Sequence, residues 1–156
     1  MLVERIVVRP SQFNEYREQV GKNSNLHVAV LSLPEEGNGI GYSRYWIQRI
    51  AEHLELSWIW MIDDSVLWFR ELFHGESAER KNCSFEVVFQ EIEKLAKDND
   101  LAVVGPRVYN GQTVGNVKDP FMYKPPRGVV LLNLQEIKAK KVHYRPELVI
   151  LEDMTF

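Results

Sequence analysis

The chain lacks several features that would assign a protein quickly. Cys83 is the one cysteine in 156 residues. That excludes an internal disulfide framework, and no Cys/His cluster has the spacing of a structural zinc site. His27, His53, His74 and His143 are scattered and read as surface or packing residues. No apolar run approaches the roughly 20 residues of a membrane span. The start, Met1-Leu2-Val3-Glu4-Arg5, has no long apolar stretch of the signal-peptide kind. The expectation is therefore an intracellular chain, cytoplasmic or nuclear, with no membrane partner. An excess of one charge is also missing. A net charge of −3 argues against a general polyanion binder or a membrane-surface protein. No repeat, low-complexity tract or linker is present.

What is present is an ordinary globular balance. Hydrophobic residues make up 45% and charged residues 26%, enough to bury a core, and the length suits one domain, 1–156. Glu4 to Arg9 contains the β-branched strand Ile6-Val7-Val8. Pro10 and Ser11 open a helix with Phe13, Tyr16 and Val20 on one face. Leu26 to Leu33 is a second strand, followed by a glycine-rich loop from Pro34 to Gly41. Ser43 is placed to cap a second helix, with Trp46, Ile47, Ile50, Ala51 and Leu54 as its apolar stripe. Trp58 to Ile62 is five large apolar residues without alternation, which suits a strand buried on both faces.

Val66 to Phe73 reads as a short apolar helix ended by Gly75. Ser84 opens the clearest helix, with Phe85, Val88, Phe89, Ile92 and Leu95 on one face. Leu101 to Val104 is a further strand. Arg107 to Arg127 has little regular pattern, and a loop of that length is usually functional. Gly128 to Leu132 reads as a strand, Gln135 to Lys141 as a short helix with a basic, solvated face, and Tyr144 to Ile150 as an extended piece. Contact of the basic helix with an anionic partner is the alternative. The order predicts an α/β protein with right-handed crossovers, early strands parallel and late strands mixed.

Four stretches concentrate ligand-type residues at strand ends or helix starts: Arg9-Pro10-Ser11, Gly37 to Gly41 running into Arg44, Asp63-Asp64, and Glu152-Asp153. Glycines let backbone amides approach a phosphate, and a helix N-terminus favours negative charge. Arg44 adds a bidentate anion donor. Adjacent carboxylates repel, so Asp63-Asp64 is tolerable mainly where water, arginine or a metal ion neutralises it. Each also has a plainer reading: a flexible turn at Gly37 to Gly41, a solvated Arg44, a capping turn at Asp63-Asp64, and a helix start at Glu152-Asp153.

Gly39-Ile40-Gly41-Tyr42-Ser43-Arg44, then Trp58 to Asp64, then Glu152-Asp153-Met154-Thr155-Phe156, resembles the motif series of GT-A-type glycosyltransferases. It is most similar to the branch called TET-associated glycosyltransferases, which includes a domain of the oestrogen-regulated growth proteins of animals. The resemblance implies a GT-A-like (nucleotide-diphospho-sugar transferase) fold, a Rossmann-like mixed sheet flanked by helices. It implies a nucleotide sugar, a UDP-sugar first, as donor and a hydroxyl acceptor of open class: protein, nucleic acid or small molecule. Arg9 and Ser11 would lie near the base, and Arg44 at the base or diphosphate. Asp63 and Asp64 would take the place of Asp-x-Asp, binding ribose and a Mn²⁺ or Mg²⁺ ion. Gly39 and Gly41 would belong to the nucleotide-sugar side, and Gly128 would mark the backbone near the donor sugar. Asp153, beside Glu152, would deprotonate the acceptor.

Two departures accompany it. With Asp63 as the first aspartate of Asp-x-Asp, the second falls on Ser65, a poor metal ligand. The chain also stops at Phe156, where the family continues into a helix and a late metal-binding histidine. The expectation is thus a domain truncated at its C-terminal end, part of a larger multidomain protein. Two alternatives stand beside the transferase. One is a dinucleotide-binding domain, which the G-x-G-x-G spacing of Gly37, Gly39 and Gly41 fits poorly. The other is a catalytically degenerate binding or scaffold module, which Ser65 and the early stop favour.

Overall fold

The computed structural model describes residues 4–23, 25, 27–37, 39–72, 80–106 and 126–148. The long loop 107–125 and the Glu152-Asp153 pair lie outside the described residues. The fold is mixed α/β and divides into two compact units, Met1–Leu54 with His143–Thr155, and Glu55–Val142 with Phe156.

In the first unit, strand β1 (Glu4–Val8) pairs in parallel with β2 (Val28–Ser32), Ile6 opposite Val30. The turn Pro10–Gln12 leads into α1 (Phe13–Lys22), which packs on β2. Phe13 and Val20 are half-buried, as their spacing predicts, whereas Tyr16 is exposed. The next helix, α2 (Gly39–His53), departs from expectation in two ways. It begins at Gly39, so Ser43 lies inside it rather than capping it. Its buried residues are Gly41, Arg44, Gln48 and Ala51, spaced three, four and three apart, so half of the fully buried stripe is polar and its other half is small. Trp46, Ile47 and Ile50 are only half-buried and Leu54 is exposed past the helix end.

The second unit is antiparallel. Strand β3 (Trp58–Ile62) pairs with β7 (Val129–Asn133), whose other edge takes the short β6 (Val103–Val104). Strand β7 is therefore the centre of three strands, and Val129, Val130, Leu131 and Leu132 are all buried. The doubly buried strand is this one and not β3, where Met61 alone is fully buried and Ile62 is exposed. Pairing on both edges decides it: an apolar run at a sheet edge keeps part of its surface in water.

Of the segment expected as a helix, Val66 to Leu72 instead enters strand β4 (Phe69–Leu72), antiparallel to β5 (Arg80–Cys83), and its end at Phe73 and Gly75 lies outside the described residues. Trp68 exposed, Phe69 buried and Arg70 exposed follow a period of two, which suits a pleated strand and not a helix. The Phe69 ring meets Phe85 and Phe89 edge-on at 4.8 and 6.0 Å between centroids. Those two rings belong to α3 (Phe85–Asp98), capped by Ser84, whose hydroxyl accepts from the Val87 N–H at 3.3 Å. Phe89 also stacks on Trp60 of β3 at 4.5 Å, and the Trp60 indole N–H donates to Glu93 at 2.9 Å. Helix α4 (Leu134–Ala139) follows β7 directly, its first amides accepted by Asn133 Oδ1. No helix among the described residues is long and apolar enough to cross a membrane.

Candidate functional site

The sequence-singled residues fall into two groups, one in each unit. In the second unit, β3 ends at Ile62 and the chain turns through Asp63-Asp64-Ser65-Val66, closed by the Val66 N–H donating to Asp63 C=O at 3.2 Å. The antiparallel register carries Asp63 opposite Gly128, and the Asp63 N–H donates to the Gly128 carbonyl at 2.7 Å. Gly128 has φ +72°, a left-handed conformation that β-carbon-bearing residues avoid. A Cβ there would stand 3.7 Å from Val66 Cγ2 and 3.9 Å from Asp63 Oδ2, so the conformation rather than lack of space asks for glycine. The structure thus joins Asp63 and Val66, of one turn, to Gly128, which the sequence places far from both. Asp63 is half-buried; Asp64 and Ser65 are exposed. The turn is real, but a strand and not a helix follows it.

In the first unit, Arg9 is exposed at the end of β1, and Ser11 lies in the turn beyond it. Ser11 donates twice to Glu36, from its N–H to Oε1 at 2.7 Å and from Oγ to Oε2 at 3.0 Å. Glu36 was missed by sequence reasoning; an acidic residue in a loop gives no sign of its partner. The same loop is fixed at Gly37, where an added Cβ would run into the Tyr42 ring. Gly39 opens α2 and Gly41 is buried within it.

Arg44 is buried, 3% exposed, with its guanidinium 5.8 Å from the centroid of the Tyr144 ring. Its solvated reading is corrected: this arginine is an internal cation of the unit. One helical turn on, fully buried Gln48 accepts the Tyr144 N–H at 3.1 Å through Oε1 and donates through Nε2 to Glu52 at 2.9 Å. Tyr45 meets His143 edge-on at 6.4 Å. Helix α2 therefore grips residues 143–144 with its polar face. Beyond them the chain turns at Pro146-Glu147, with the Leu148 N–H donating to Arg145 C=O, instead of running extended. Glu147 is held below the usual carboxylate range, first by a hydrogen bond from its own backbone and then by Arg145, 2.9 Å away.

Among the described residues no group of three or more His, Cys, Asp and Glu side chains lies close enough to hold a metal ion. The chemistry available is thus two neighbouring carboxylates on a tethered turn in one unit, and an anchored loop-to-helix junction in the other. The chain belongs to the TET-associated glycosyltransferase family, whose model it matches over residues 3–156. No curated protein and no solved structure matches it.

Proposed function

We propose that the chain transfers a sugar from a nucleotide-diphosphate donor, taken first as a UDP-sugar, to a hydroxyl acceptor, in the manner of GT-A enzymes. The observation that carries the reading is the Asp63-Asp64 turn, tied through Gly128 to the central strand at the end of β3. A carboxylate pair on a fixed turn suits a divalent cation and ribose hydroxyls, and family membership supplies the reaction class.

Hard oxygen ligands fit Mg²⁺ or Mn²⁺, and Mg²⁺ is commonly held by one or two carboxylates with substrate phosphates and water completing its shell. Such an ion, held by Asp63 and Asp64, would neutralise charge on the departing diphosphate. The acceptor oxygen attacks the anomeric carbon, the bond from that carbon to the diphosphate breaks, and Asp153, beside Glu152, takes the acceptor proton. Arg9, Ser11, Gly39 and Gly41 are assigned to the nucleotide side. The resemblance assigns Arg44, buried in α2, to the base or diphosphate and Gly128 to the backbone near the donor sugar.

The test is calorimetric titration with UDP and UDP-sugars, with and without Mn²⁺, on the wild type and on Asp63→Ala/Asp64→Ala. Mn²⁺-dependent binding that the double substitution abolishes is the expected result. No binding, repeated on a chain extended past Phe156, overturns the transferase. Ser65 in the exposed turn, where a second ligating aspartate would stand, favours a second reading: a binding module that keeps the donor site and turns nothing over. Donor binding without sugar transfer to any acceptor would establish that one.

A further inference from the structure

Strands β1 and β2 run in parallel and stay paired to their ends, where the Leu33 N–H donates to the Val8 carbonyl at 2.8 Å and both residues are buried. Past that bond the chain leaves in two loops, one through Arg9 to Gln12 into α1, the other from Pro34 toward α2. Ligands of α/β proteins gather at this edge, beyond the carboxyl ends of parallel strands. One side chain ties the two loops together. Glu36 takes the Ser11 N–H on Oε1 at 2.7 Å and the Ser11 hydroxyl on Oε2 at 3.0 Å, across 25 positions of sequence. Its neighbour Gly37 lies so close to the Tyr42 ring that no β-carbon fits, so the carboxylate projects from a backbone set against α2.

Counting protons gives this bridge a chemical direction. The Ser11 N–H is one donor, and the hydroxyl has one proton and two acceptor lone pairs. A carboxylate accepts only, so both Ser11 protons are spent on Glu36. What Ser11 Oγ keeps to offer is its lone pairs, and Ser11 is exposed, so a ligand can reach them. A hydrogen bond to a charged acceptor also polarises the O–H and strengthens the oxygen as an acceptor in its turn. Such an oxygen suits an N–H donor. It has nothing to give a carbonyl or a phosphate, and the neighbouring negative charge repels a phosphate as well.

We propose that Glu36 decides which pyrimidine the site takes: by fixing the Ser11 hydroxyl as an acceptor, it selects uracil, whose ring N–H lies between two carbonyls, over cytosine. The proposal rests on the transferase reading above, which puts Ser11 on the nucleotide side, and adds to it a residue and a direction for the bond. Cytosine carries an unprotonated nitrogen at the same ring position, so its lone pair would face the lone pairs of Oγ. Glu36 is a positioning residue, acting through Ser11 and not on the base itself. Both partners of the bridge lie at the surface, where a substitution moves stability little, so the effect falls on binding.

The experiment is calorimetric titration with UDP and with CDP, each with Mn²⁺, on the wild type, Glu36→Gln and Ser11→Ala. In Glu36→Gln the amide can keep both contacts only by donating to Oγ, which returns the hydroxyl proton to the ligand side. The expected wild type prefers UDP to CDP by about tenfold, the size of one hydrogen bond. Glu36→Gln loses that preference through weaker UDP binding with CDP binding undiminished, and Ser11→Ala loses it too. General damage to the loops would weaken both nucleotides, and urea midpoints near that of the wild type confirm that each variant folds. An unchanged preference in Glu36→Gln, or equal weakening of both nucleotides, overturns selection by Glu36 and leaves the donor reading standing. So does a wild type that binds the two alike or prefers CDP. A wild type that binds neither overturns the two readings together.

Discussion

In the unit built on β7, Val129, Val130, Leu131 and Leu132 are buried at the centre of a three-stranded sheet, whereas α2 of the other unit turns Arg44 and Gln48 inward. The two regions are held by different physics. Apolar burial is non-directional and scales with area removed from water, so many residues of similar size can serve at β7. A buried amide and a buried guanidinium are costly unless they meet partners in the right geometry, so they allow few arrangements. The β7 sheet is a source of stability. The polar face of α2 contributes a single defined position for the Tyr144 segment.

The comparison breaks first where the effect is largest. Leu132→Ala, at a fully buried central position, should lower stability by about 2–5 kcal/mol, read from urea denaturation. A loss below 1 kcal/mol would mean that β7 is not the centre of that unit. Gln48→Leu is the matching change in the polar region. It nearly preserves volume but leaves the Tyr144 N–H without the amide oxygen it now meets at 3.1 Å, for a loss of about 1–3 kcal/mol. Hydrogen exchange at the Tyr144 amide should accelerate with it. If Gln48→Leu proves neutral and that amide stays protected, the inward polar face has no holding role and the contrast between the units disappears.

The same contrast marks what was legible in the amino-acid sequence. Runs such as Ile6-Val7-Val8, Trp58 to Ile62 and Gly128 to Leu132 show themselves through hydrophobicity, and Ser84 before an apolar period announces α3. Those elements stand close to where the pattern puts them. The pattern could not rank β3 against β7, because which run gains two neighbours depends on pairing between distant segments. Nor could it orient α2, since a rule that assigns the inner face by hydrophobicity cannot nominate Arg44 or Gln48. In the candidate site, Asp63, Asp64 and Gly128 were singled out from their types and places at strand ends. The joining of Asp63 to Gly128 through one backbone hydrogen bond follows only from the antiparallel pairing of β3 with the late strand β7, which no local pattern shows. Glu36 had no signal at all, because its partner Ser11 lies on another element.

Gly128 supplies the smallest effect and the finest distinction. It precedes the most buried strand among the described residues, yet neither burial nor packing explains it. The space beside its Cα would admit a methyl group at ordinary contact distance, and the left-handed φ would not. Gly128→Ala should therefore destabilise by about 1–2 kcal/mol through conformation alone. Gly128→Asn should lose less, since asparagine tolerates that region better. Sensitivity to the backbone preference, with alanine worse than the larger asparagine, is the outcome that distinguishes strain from crowding. The order is measured by comparing the two urea midpoints. If asparagine is the worse of the two, side-chain crowding against Val66 and Asp63 governs the position, and the carboxylate of Asp63 is packed rather than merely tethered.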